Sequence, residues 1–118
     1  MSKYHLEAGI AYWHTQKADS TEKWENILNL YNLLLQLEYS PIAALNRTYA
    51  LSRAIGKEHA IKEAEKLALS DNHLYFALLG ELYTGIDNAK AKENYQSALA
   101  LARTQMEKQA IQKKIDKL

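Results

Sequence analysis

The amino-acid sequence predicts an all-α protein of about seven helices in antiparallel pairs, and three observations carry that prediction. The first is composition: the 118 residues contain no valine, one proline and four glycines, and alanine and leucine dominate. Strands draw heavily on β-branched residues, and few are on offer here. The second is punctuation. Polar capping residues, one Ser-Pro pair and glycine breaks cut the chain into lengths that suit helices. The third is a self-similar pattern that recurs at a spacing of about 34 residues.

The elements follow in order. A first helix is expected from about Lys3 to Gln16. Asp19 reads as the N-cap of the second, with Glu22 three residues on as its capping-box partner, and that helix runs from about Ser20 to Glu38. In it, Trp24, Ile27, Leu28, Tyr31 and Leu34 form one apolar stripe, and Leu30, Leu33 and Leu37 form another. A helix apolar on two sides is covered on two sides, so a layered stack is expected rather than a lone hairpin. Ser40 caps a third helix that opens on Pro41, where a missing N–H costs nothing. It closes at Gly56, a residue suited to the position after a helix. A fourth helix is expected from Lys57 to Leu69, and Ser70, Asp71 and Asn72 make the next break. The fifth runs from His73 to Thr84. Gly85 and Asp87 separate it from the sixth, Asn88 to Thr104, and a last helix covers Met106 to Leu118.

The recurring pattern is clearest in the fifth and sixth helices. Phe76-x2-Leu79-Gly80-x2-Tyr83 is followed by Ala91-x3-Tyr95-x2-Ala98. Upstream, Ile42-x2-Leu45-Asn46-x2-Tyr49 precedes Ala60-x3-Ala64-x2-Leu67. Further upstream, His5-x2-Ala8-Gly9-x2-Tyr12 pairs with Ile27-x3-Tyr31-x2-Leu34. These resemble the tetratricopeptide (TPR) unit, W-x2-L-G-x2-Y followed by A-x3-F and a small residue. The resemblance implies a TPR-like right-handed α-α superhelix, one domain over 1–118. Its degenerate repeats cover about 3–38, 41–69 and 73–104, and a capping helix covers 106–118. Small residues at Gly9, Gly80, Ala91 and Ala98 would let helices approach closely. Tyr12, Tyr31, Tyr49, Tyr83 and Tyr95 would fill the space between layers. The last helix would turn Ala110, Ile111, Ile115 and Leu118 inward and its lysines to water, as a terminal cap requires.

Composition also bounds function. The 15 basic residues balance 14 acidic ones, which speaks against a general nucleic-acid binder. The absence of cysteine excludes disulfides, thiolate metal sites and cysteine nucleophiles. No apolar run reaches the roughly 18 residues of a membrane span, no signal peptide is visible, and a cytoplasmic location is expected. Neither a phosphate-binding glycine loop nor a hydrolase or metalloprotease motif is present. His5, His14, His59 and His73 never pair at helical spacing, so no two-histidine metal face forms. The expectation is a binding protein, with no enzyme activity, cofactor, metal or small-molecule substrate.

Asn46 stands where the repeat prefers glycine, beside Arg47. Two readings are open. Either the Asn46 amide ties neighbouring helices together, which requires hydrogen-bond partners if it is buried, or Asn46 and Arg47 face a groove and contact a protein partner. Arg53 lies about 240° around the same helix from Arg47 and reads as a surface charge.

The run Ser40-Pro41-Ile42-Ala43-Ala44-Leu45-Asn46-Arg47 resembles the S-P-x-x-x-L-N-R segment of one protein group. It belongs to the C-terminal TPR-like extension of certain bacterial extracytoplasmic-function sigma factors. Tyr4-His5-Leu6-Glu7-Ala8-Gly9-Ile10-Ala11 with His14 is similar to the opening of that extension. Trp24-x2-Ile27-x3-Tyr31-x2-Leu34-Leu35 resembles its second helix, and Tyr95-x2-Ala98-Leu99-x-Leu101-Ala102 with Glu107 resembles its close. Two departures are visible: the final repeat lacks the usual proline, and the connection after the first helix is charged. The resemblance covers essentially the whole chain. It implies a fragment of a longer sigma factor, whose partners would be its own sigma regions or the RNA polymerase core. DNA would then be contacted only through N-terminal regions absent here. The competing expectation is a stand-alone TPR adaptor for a peptide or partner helix.

Overall fold

A computed structural model describes residues 2–118. The described residues form seven α-helices and no strand: α1 Lys3–His14, α2 Thr21–Leu37, α3 Pro41–Ala54, α4 Lys57–Leu67, α5 His73–Tyr83, α6 Asn88–Leu101 and α7 Gln105–Asp116. Two compact units divide the chain, one ending at Ala60 and the other covering Ile61–Leu118. Helices adjacent in sequence pack together: α1 with α2 and α2 with α3 in the first unit, α5 with α6 and α6 with α7 in the second.

Local chemistry sets the helix starts. Ser2, Ser20, Ser40, Asn72, Asp87 and Thr104 each accept a backbone N–H of the first turn. Such caps satisfy donors that have no partner within the helix. The expected cap at Asp19 is displaced by one residue. Ser20 accepts from the Lys23 N–H and caps α2, while the Asp19 carboxylate accepts from the Trp24 indole and from Arg53. These two side-chain donors, one five residues on and one thirty-four residues on, outcompete the local capping role. The capping box instead lies at α7, where Thr104 and Glu107 bond each other's backbone N–H. That is why α6 stops at Leu101 rather than at the expected Thr104: Ala102 is extended and Thr104 already belongs to the next helix.

In the first unit, Leu6 and Ile10 of α1 meet Leu34 of α2 and Ala43 of α3, with Leu30, Tyr31 and Leu35 packed around them. In the second, Tyr95 and Ala98 of α6 pack with Ala102 and with Ile111 of α7, against Phe76 and Ala77 of α5. Gly80 bears out its expected role as a close-approach residue, since a Cβ there would lie 2.7 Å from the Tyr95 ring. Tyr83 and Tyr95 are buried as expected, whereas Tyr12 is 58% exposed and fills no inter-layer space. Its helical position puts it on the side of α1 away from Leu6 and Ile10, which enter the core. Ala110 is likewise exposed, and the inner face of α7 is Ile111, Ile115 and Leu118.

Candidate functional site: a cleft between α1, α2 and α3

The first unit contains an open cleft of about 410 Å³. α1 supplies one wall, because Lys3, Glu7, Ala11 and His14 recur at spacings of three and four and so share a face. Ser40, Ile42, Ala43 and Asn46 of the Ser-Pro segment supply the opposite wall. Tyr31 and Leu34 of α2 line it between the two. The α1 residues that enter the core, Leu6 and Ile10, are flanked by this polar face, so packing α1 onto α2 and α3 turns it toward the cleft.

A smaller recess of about 130 Å³ shares His14, Tyr31 and Asn46 with the cleft and is completed by Trp24, Ile27 and Tyr49. Its aromatic rings are held edge to face. Trp24 and Tyr49 have centroids 5.5 Å apart, and His14 and Trp24 5.8 Å apart. Trp24 is further fixed by its indole bond to Asp19, while Arg53 and Lys23 lie over its ring at 5.5 Å and 5.3 Å. Arg53 is therefore more than the surface charge its sequence suggests: it clasps Asp19 and Trp24 and joins the end of α3 to the start of α2.

Asn46 and Arg47 are adjacent in sequence and separate in space. Asn46 is exposed and lines both cavities, as Tyr31 does. Burial pushes the Tyr31 hydroxyl's pKa up, and the nearby Asn46 amide partly opposes the shift. Arg47 lines neither cavity; its Nε donates to Asn32 Oδ1 on α2 at 2.6 Å. The two open readings thus divide between the two residues, with Arg47 the tie between helices and Asn46 the group presented to the cleft.

At the mouth, Lys3 Nζ lies 3.0 Å from Glu38 Oε2. Its pKa is raised, first by the hydrogen bond and charge of Glu38 and to a lesser extent by Glu7. Glu7, His14 and Tyr31 were not singled out as site residues by sequence reasoning. The signal was present in the Lys3, Glu7, Ala11, His14 spacing, which lays a mixed polar face beside an apolar stripe. Among the described residues, no group of three or more His, Asp or Glu side chains is arranged to hold a metal ion. No helix there is long and apolar enough to cross a membrane.

No family model matches the chain. It is similar to an uncharacterized protein of Rhizobium meliloti (strain 1021), at 34% identity over 120 residues. The match takes in 98% of this chain and 28% of the relative, so the chain spans little more than a quarter of the relative's length.

Proposed function

We propose that this chain is a non-catalytic, cytoplasmic protein-interaction domain of an extracytoplasmic-function sigma factor. It would hold a segment of the sigma factor's own regions, or of the RNA polymerase core, in the α1–α3 cleft and so modulate transcription initiation. One observation carries the reading: the stretch that resembles the sigma-factor extension, Ser40 to Arg47, supplies a wall of the cleft through Ser40, Ile42, Ala43 and Asn46. The greater length of the Rhizobium relative supports it, since that protein has room for further regions outside the match. The cleft offers binding chemistry, with apolar walls for side chains and an exposed amide for backbone groups. DNA contact is assigned to other regions of the longer protein, and no cofactor or small-molecule substrate is invoked.

A pull-down of the purified chain against separate sigma promoter-binding regions and core RNA polymerase tests this. Capture of one of them is expected, weakened about tenfold by Asn46→Ala with an unchanged melting curve. Capture of neither overturns the reading and moves the weight to a stand-alone adaptor. A genomic reading frame that begins at Met1 would do the same.

A further inference from the structure

The cleft has a charge character that narrows its occupant. Its lining includes two carboxylates, Glu7 and Glu38, against one cation, Lys3. Lys3 is committed to Glu38 by the 3.0 Å contact, and Glu7 acts on it only through longer-range attraction. The carboxylates of the lining thus exceed its lysine by one negative charge, that of Glu7 on α1. Glu7 is exposed and lies one turn from Lys3 on one side and from Ala11 on the other, directly beside the apolar wall. Ile42, on the opposite wall, is 53% exposed, so apolar surface lies open at the mouth.

We propose that the cleft selects a partner segment presenting a lysine or arginine among apolar side chains, with Glu7 as the residue that recognises the cation. This deepens the protein-docking reading and rests on it. A long cationic side chain suits both features, because its aliphatic stem can lie on Ile10, Ala11 and Ile42 while its head reaches a carboxylate. An acidic segment would set its carboxylates against Glu7 and Glu38 next to low-dielectric walls, where like charges repel more strongly than in water. The exposed Asn46 amide in the lining has donor and acceptor capacity for the segment's backbone.

Two labelled nonapeptides of leucine and serine, one with a central arginine and one with a central glutamate, test the proposal by fluorescence anisotropy. The arginine peptide is expected to bind about tenfold tighter. That preference should shrink as salt rises and disappear in Glu7→Gln, while Glu25→Gln on α2, outside the cleft, leaves it intact. Glu7 is exposed, so Glu7→Gln should keep the wild-type melting curve. Equal affinity for the two peptides, binding of neither, or an arginine preference that survives Glu7→Gln overturns the proposal. The pull-down separates the two readings. Capture undiminished by Glu7→Lys sinks cation selection and leaves the docking domain standing, whereas no capture at all removes the docking reading itself.

Discussion

At the scale of single residues, the backbone stores strain at Ala68. It follows α4 with φ +47°, a left-handed conformation in which a Cβ crowds the following carbonyl. The sequence reading carries α4 on to Leu69, with Ser70, Asp71 and Asn72 as the break. The chain instead turns at Ala68, with Ser70 and Asn72 N–H groups bonded back into the turn. Ala68→Gly is expected to stabilise the protein by about 0.5–1 kcal/mol, measured by urea unfolding; a loss of stability would count against the strain. A second residue-scale effect belongs to Glu107. The Thr104 hydroxyl holds its carboxyl below the usual range; burial opposes this, and the Thr104 backbone N–H, His73 and Arg103 add to it. A carboxyl depressed in the folded state contributes stability above its unfolded pKa, near 4.3, and loses it as pH falls through the folded value. Amide protection factors in α7, with exchange rates referred to the intrinsic rate at each pH, should therefore fall between about pH 5 and about pH 3, and Glu107→Gln should flatten that change.

At the scale of elements, contacts across helix pairs override the local signal. Gly80 sits within α5, where alanine would be favoured by about 1 kcal/mol on propensity alone. The Tyr95 ring across the α5–α6 contact removes that option, because a Cβ would meet the ring body and not the tip of a flexible chain. Gly80→Ala is expected to destabilise by about 1–3 kcal/mol, and an unchanged melting temperature would show that Tyr95 can move aside. α7 is held at two places, by the His73–Glu107 contact of 2.8 Å at its start and by Ile111, Ile115 and Leu118 along its length. The Asn46-Arg47 pair shows the same division of labour. Arg47→Ala removes the bond between α3 and α2 and should cost about 1 kcal/mol of stability. Asn46→Ala, at an exposed position, should stay within about 0.5 kcal/mol. Paired melting curves check the contrast, and the reverse order would return Arg47 to the list of partner-facing residues.

At the scale of the whole chain, charge is the property most directly set by composition. With a formal net charge of +1, the chain lacks the basic excess that neutralises many phosphates. In an electrophoretic shift with duplex DNA at low salt, the isolated chain is expected to leave the probe unshifted. A shift whose strength falls steeply with salt would reveal a basic surface concealed by the overall balance.

Much of the helical inventory is legible in the sequence because helices announce themselves locally. Ser40-Pro41, Asn72, Asp87 and Gly56 act through neighbours a few residues away, and the four breaks they mark fall where these signals place them. Close approach at Gly80 is legible too, since the 34-residue pattern sets a small residue opposite a large one. The tertiary structure decided the rest. It turned Asp19 from a cap into an acceptor for Trp24 and Arg53, left Tyr12 in solvent and sent Arg47 away from Asn46. It also gathered Glu7, Tyr31 and Asn46 from three helices into one cleft. Capping and periodicity are short-range effects that one segment specifies alone. Which face of a helix meets water or a cleft depends on the packing of segments distant in sequence, and no single segment encodes that.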